Sequence, residues 1–235
     1  MEAVIDLRLE STPARKVDSI FPIHADISNE YPKRTDIFKL LGKFVPGQPL
    51  TQEESHLGFR YDSVDGKYVL QTRIDGFTLS RLQPYEHWEP FRAEAHRLWL
   101  IYRRFAAPLH CIRAAVRYVN RIDIPVIPAD MKSYFRTFPE VSPDMPQAIS
   151  GHVMQLLMPQ ENEIMLSLIQ ASVPPPKPGV VSVNLDLDLY KESTTAFSSD
   201  EHIWDFLDSL RGIRDDIFES CITDRTRALF ETIES

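Results

Sequence analysis

The sequence contains little cysteine and little glycine. Its two cysteines, Cys111 and Cys221, are far apart, so the CxxC spacing of metal and redox sites is missing and a disulfide framework is not expected. The eight glycines are scattered and form neither a GxGxxG fingerprint nor a Walker loop, and no GxSxG or HExxH motif occurs. The usual signatures of dinucleotide binding, phosphate binding, serine hydrolysis and zinc proteolysis are therefore absent, and we expect no cofactor.

Long apolar runs and a surplus of positive charge are missing as well. No segment approaches the roughly 20 apolar residues of a membrane-spanning helix. The first residues, MEAVIDLRLEST, are partly acidic and alternate apolar with polar side chains, so a signal peptide is not expected. We therefore predict a cytoplasmic protein that does not bind membranes. With 26 Lys and Arg against 34 Asp and Glu, the net charge of −8 also disfavours nucleic-acid binding.

What the chain does contain is typical of a soluble globular protein. At 43% hydrophobic and 26% charged residues, its 235 residues suffice for one large domain or two small ones. Apolar residues alternate with polar ones in residues 3–11, which predicts a first strand. An apolar stripe at helical spacing from Val17 to Tyr31 predicts a helix, and residues 42–56 lack periodicity and predict a loop.

Further along the chain, turn and helix signals alternate twice. Asp-Gly pairs at 65–66 and 75–76 lie between alternating apolar runs and predict hairpins. An aromatic stripe after Pro84 predicts a long helix packed on the sheet. A second series follows, with the runs GHVMQLLMP, IMLSLIQASV and VVSVNLDLDLY and then a long helix, for which Ser198 and Glu201 form a predicted capping box.

These patterns predict an α+β fold with mainly antiparallel sheets packed by long amphipathic helices. Because each series runs from hairpin to strand to long helix, we expect two similar β-hairpin/strand/helix halves. The predicted boundaries are 1–125 for the N-terminal β/α half, 126–150 for a connection and 151–235 for the C-terminal β/α half. The two halves are also compatible with one integral domain.

The strand over residues 112–125, IRAAVRYVNRIDIP, carries the first candidate site. With a two-residue period, one face is apolar except for Asn120, and the opposite face carries Arg113, Arg117 and Arg121. The three arginines recur about 13 Å apart along a strand, so they form a stripe and not a tight anion clamp. They either bind an anionic ligand or an acidic partner, or pair with carboxylates of a neighbouring strand. Asn120 either contacts a ligand or ties down the backbone as a structural residue.

A second candidate site lies on the strand VNLDLDLY. Asp186 and Asp188 are two residues apart, so both carboxylates lie on one face of that strand, about 6 to 7 Å apart. Two such carboxylates are able to hold Mg²⁺. The alternative is that they pair with cations on a neighbouring strand, for which the arginine stripe is the obvious candidate.

Several motifs together resemble an uncharacterised, sporadically distributed bacterial protein family of about this length. They span nearly the whole chain: Tyr31 and Pro32; Leu70 and Gln71; PYEHWEPF with Pro84, Tyr85, Trp88 and Phe91; RYVNRIDIP; LDLDLY; and IFESCITDRTRALFE. The resemblance implies one integral architecture and offers no activity, cofactor or catalytic residue. A patchy distribution is typical of accessory genes, which include toxin–antitoxin, immunity and phage-defence modules.

Two functions follow as hypotheses. The first is a non-enzymatic protein that binds or regulates a partner protein, such as an antitoxin, an immunity protein or a phage-defence component. The second is a binder or hydrolase of a small anionic molecule such as a nucleotide, held by the arginine stripe. Carboxylate neighbours for the arginines favour the first, and a cavity lined by unpaired guanidinium groups favours the second. An RNA-binding sheet is disfavoured by the net charge.

Overall fold

The computed structural model describes residues 1–10, 15–43, 51–106, 110–125 and 130–231. Within these ranges nine strands form an antiparallel sheet in the order β2-β3-β4-β5-β1-β6-β9-β8-β7. The strands are β1 Glu2–Leu9, β2 Lys33–Lys43, β3 Thr51–Asp62, β4 Tyr68–Arg73, β5 Gly76–Arg81, β6 Cys111–Ile124, β7 Val153–Pro159, β8 Met165–Val173 and β9 Val181–Phe197.

Four α-helices pack against this sheet: α1 Ile23–Ile27, α2 Trp88–Ala106, α3 Asp200–Cys221 and α4 Asp224–Glu231. The α+β class, the antiparallel sheet and the amphipathic helices are thus confirmed. The similarity of two halves and the predicted domain boundaries stay predictions. None of the helices in the described ranges is long and apolar enough to cross a membrane.

By compactness the chain divides into two units. The first unit comprises Met1 and residues 115–191 and 205–235, and the second comprises residues 2–114 and 192–204. In the second unit, α2 buries its aromatic stripe against β5, where the Phe77 ring lies 5.6 Å from Trp99 and 5.8 Å from Tyr102. In the first unit the core includes fully buried aliphatic side chains on β9 and α3: Val183, Leu185, Leu187, Leu189, Leu207 and Leu210.

The hairpins predicted from the Asp-Gly pairs are present. Strands β3 and β4 pair around the turn that contains Asp65 and Gly66, and Gly66 has a φ of 67°, a backbone conformation that glycine adopts without strain. Strands β4 and β5 pair up to Arg73 and Gly76, so that Ile74 and Asp75 form a two-residue turn. The alternation of residues 3–11 is also correct for β1, although residues 11–14 lie outside the described ranges.

Three local predictions were wrong. The predicted loop over 42–56 instead contains the end of β2 and the start of β3, which pair with each other; residues 44–50 lie outside the described ranges. Apolar alternation does not predict a strand at the start of β3, because its first five residues, TQEES, include no apolar residue. The predicted helix over 17–31 is α-helical only in α1, because Pro22 has no N–H to continue a helix from the preceding turn.

The third concerns the start of α3. The N-cap is Ser199 and not Ser198, since the Ser199 hydroxyl accepts a hydrogen bond of 3.2 Å from the backbone N–H of His202. The helix therefore begins one residue later than the capping box predicts.

Candidate functional site

Arg113 belongs to a charged network in the second unit. Its side chain is buried, and its Nη1 lies 2.9 Å from Asp6 Oδ2. The other oxygen of Asp6 accepts a 2.7 Å hydrogen bond from the Thr78 hydroxyl and lies 3.2 Å from Arg73 Nη2. Arg113 thus has a carboxylate partner on β1.

Arg117 pairs with the metal candidate Asp186 in the first unit. The Arg117 guanidinium donates from Nε to Oδ1 at 2.8 Å and from Nη2 to Oδ2 at 2.5 Å, a bidentate pair across neighbouring strands. Only 10% of the Asp186 side chain is exposed. Asp188 is half-buried and lies opposite Ser167 of β8.

No group of three or more His, Cys, Asp or Glu residues that is suited to a metal ion occurs in the described parts of the chain. Both oxygens of Asp186 already accept hydrogen bonds from Arg117. Mg²⁺ binding at Asp186 and Asp188 stays a hypothesis, and the metal would compete with Arg117 for the Asp186 oxygens.

Asn120 and Arg121 are the remaining predicted residues. Asn120 is buried, and its amide donates a long hydrogen bond of 3.4 Å to the Leu185 carbonyl of β9. Arg121 donates to Asp123 at 3.0 Å, to the Pro174 carbonyl at 2.9 Å and to the Ser182 hydroxyl at 3.2 Å. Each arginine of the stripe therefore has a carboxylate neighbour, although Asn120 and Arg121 also line a concave pocket.

This pocket lies in the first unit and has a volume of about 520 Å³. Besides Asn120 and Arg121 it is lined by two aromatic rings, Phe218 of α3 and Phe230 of α4, and by a further arginine, Arg214. Arg214 is the residue that the sequence interpretation missed. A signal was present, because Arg214 follows Leu207 by seven positions and Leu210 by four, which places a charge on the apolar face of α3.

A second network, in the second unit, joins α2 to the segment after α1. The Tyr31 hydroxyl donates to Glu94 at 2.8 Å, and Arg97 donates to both oxygens of the same carboxylate at 2.8 Å. Burial raises the pKa of Glu94, but the hydrogen bonds from Arg97 and Tyr31 lower it by more, so that its pKa falls below the ordinary value of 4.5. This network fastens α2 and offers no unpaired base.

The last strand of the sheet, β7, has unusual side chains for an edge. Val153 is 78% exposed and Leu157 is 60% exposed, and both lie on the same face of the strand, four residues apart. None of its seven residues is charged. Among the described residues, β7 is hydrogen-bonded to β8 on one side and ends the sheet on the other.

Comparison of the chain with protein-family models, with curated proteins and with solved structures yields no match. The resemblance to a sporadically distributed bacterial family thus stays a hypothesis, and a function has to be inferred from the geometry.

Proposed function

We propose that the protein is a non-enzymatic binding protein that pairs an extended segment of a partner protein with the free edge of β7. The observation that carries this proposal is the combination of a sheet edge without charge and two well-exposed apolar side chains on it. An exposed, apolar edge strand is a template for strand addition, in which backbone hydrogen bonds supply affinity and alternate side chains supply specificity.

The hydrogen bonds at the two ends of the β7–β8 pair identify the backbone groups that face outward. Ser172 N–H donates to the His152 carbonyl at 2.9 Å, and Gln160 N–H donates to the Ile164 carbonyl at 2.7 Å. In a regular antiparallel pair, hydrogen-bonded and non-hydrogen-bonded positions alternate along the strand. The backbone N–H and C=O groups of the even-numbered residues of β7 therefore point toward β8. The N–H and C=O groups of Val153, Gln155 and Leu157 then point away from β8.

The opposite edge of the sheet is built differently. Strand β2 has the sequence KRTDIFKLLGK, in which five of eleven residues are charged. Charged side chains, lysine above all, are a common means of protecting an edge against pairing. The contrast supports β7, and not β2, as the edge that pairs with another chain.

The occupant we propose is an extended, apolar strand of a basic protein. The segments on either side of β7 in the chain, residues 130–152 and 160–165, contain five acidic residues and two arginines or lysines, and the whole chain has a net charge of −8. Charges of this sign attract a basic partner and repel a second copy of the same acidic chain. An acidic protein that binds a basic partner in this way would be the neutralising or regulatory member of a two-protein system.

A proline substitution tests the proposal at the backbone. Leu157→Pro removes an outward N–H and leaves the hydrogen bonds to β8 in place, and Pro159 already occupies an outward position of the same strand. Leu157→Thr is the matched control, because it removes the apolar side chain and keeps the N–H and the strand propensity. Each variant and the wild-type protein are immobilised and exposed to lysate of the producing organism.

The expected result is a basic protein that wild type retains, that Leu157→Thr retains more weakly and that Leu157→Pro loses. Circular dichroism and urea unfolding verify that all three are folded. Equal retention by wild type and Leu157→Pro would contradict strand addition. Dimers of the wild-type protein that Leu157→Pro abolishes would instead identify a second copy as the occupant and refute the basic partner.

A further inference from the structure

The pocket between β6, α3 and α4 has the composition of a small-molecule site. Its volume of about 520 Å³ is within the usual range for such sites, and it combines apolar walls with a few polar groups. Phe218 and Phe230, whose ring centroids are 6.2 Å apart, form an apolar wall together with Leu229. Arg214 and Asn120 contribute a guanidinium and an amide to the lining.

Arg214 is the most unusual of these residues. Only 10% of its side chain is exposed, and its guanidinium carbon lies 3.8 Å from the centre of the Tyr118 ring. Its Nη1 contacts Asp215 at 2.9 Å, while its Nε is buried and has no hydrogen-bond partner in the described part of the chain. A buried guanidinium with an unmet donor is costly unless its charge is compensated, and Asp215 is itself half-exposed to water.

The carboxylates that line the pocket limit the charge of a ligand. Asp123 accepts hydrogen bonds from Arg121 and from the Ser182 hydroxyl, and Glu219 is paired with Arg227. Asp215 is then the carboxylate that competes for Arg214. Because the lining contains three acidic groups and two arginines, a polyanion such as a nucleoside triphosphate is repelled, whereas a single carboxylate that takes the place of Asp215 is accommodated.

We propose that this pocket binds a small monocarboxylate with an apolar or aromatic body. The carboxylate binds the Arg214 guanidinium beside the Asn120 amide, and the body packs against Phe218 and Phe230. The contact of the guanidinium with the Tyr118 ring restricts its movement, which pre-organises it to bind an anion. This site is separate from β7, and its occupancy does not depend on the strand addition proposed above.

Titration calorimetry with phenylacetate as the probe tests this site in the full-length chain. Arg214→Gln is expected to weaken binding by about ten- to a hundredfold, since a hydrogen-bonded charge pair contributes on the order of 1.5 to 3 kcal/mol. Asp215→Asn is expected to strengthen binding severalfold, because it removes the competing carboxylate. Asp216→Asn is the matched control, with the same change of charge at the next position of α3 and outside the pocket lining, and it leaves the affinity unchanged.

Two further measurements keep the proposal falsifiable if Arg214→Gln fails to fold. Leu229→Trp fills the pocket and is expected to abolish binding without altering any charge. Benzyl alcohol, which has the same aromatic body without the carboxylate, and ATP are expected to bind at least about tenfold more weakly than phenylacetate. Failure of phenylacetate to bind at about 10 mM, equal affinity of Asp215→Asn and Asp216→Asn, or tighter binding of ATP would each overturn the proposal.

Discussion

Loss of Arg117 is expected to destabilise the protein, because the Asp186 carboxylate is nine-tenths buried and accepts two hydrogen bonds from that guanidinium. Removal of one partner from a fully buried ion pair costs about 3 to 5 kcal/mol. The Arg117 side chain is 48% exposed, so water is able to reach the carboxylate once the guanidinium is gone, and the cost is smaller. For Arg117→Ala we expect a loss of about 2 kcal/mol in the free energy of unfolding, comparable to the loss of a charged hydrogen bond.

A double-mutant cycle measures this pair directly. Urea unfolding followed by circular dichroism gives the free energies of unfolding of wild type, Arg117→Ala, Asp186→Ala and the double variant. We expect a coupling energy of about 1 to 2 kcal/mol, and a fall in melting temperature of about 4 to 8 °C for Arg117→Ala. A coupling energy below about 0.5 kcal/mol would refute the view that this arginine is structural and would return it to the candidates for ligand binding.

Two further predictions concern the helices. Ser199→Ala is expected to cost about 1 kcal/mol in the free energy of unfolding and Ser198→Ala much less, because Ser199 caps α3; equal losses in urea unfolding would contradict the assignment of the cap. The lowered pKa of Glu94 means that its contribution to stability is fully present above the ordinary value of 4.5 and is lost as the pH falls through the folded-state pKa. The difference in unfolding free energy between wild type and Glu94→Gln should therefore shrink as the pH is lowered from 7 to about 3, and a difference that stays constant over this range would count against the network.

The sequence predicts the parts of this fold whose side chains alternate strongly. The apolar face of β6, with Val116, Tyr118 and Ile122, is buried as expected. A row of apolar side chains on one face of a strand is stable only where another layer of the protein covers that face. The same holds for the aromatic stripe of α2. Strand β6 lies in the interior of the sheet, next to β1, the fifth strand of nine.

Pairing partners could not be predicted in the same way. Nothing in the periodicity of β6 distinguishes Asp6 from Asp186 as the partner of Arg113, because both lie on strands with alternating side chains and only the strand order separates them. The end of β2 and the start of β3 were missed because backbone hydrogen bonds, which leave no trace in side-chain hydrophobicity, hold these two segments together. Strand order and backbone pairing are long-range properties that a local pattern does not contain.

Because the arginines of β6 have carboxylate neighbours, they are weaker candidates for a binding site than β7 or the pocket at Arg214. Arg113, Arg117 and Arg121 were the obvious anion-binding residues of the sequence, yet the charge of each is compensated within the chain, so binding an anion there would require an existing pair to be broken. A carboxylate that binds Arg214 also displaces a carboxylate, Asp215, but that side chain is half-exposed, so water solvates it once it is released. The outward backbone groups of β7 have no such competitor among the described residues, because β7 ends the sheet there. Both lie in the first unit, and the substitutions at Leu157 and Asp215 address them independently.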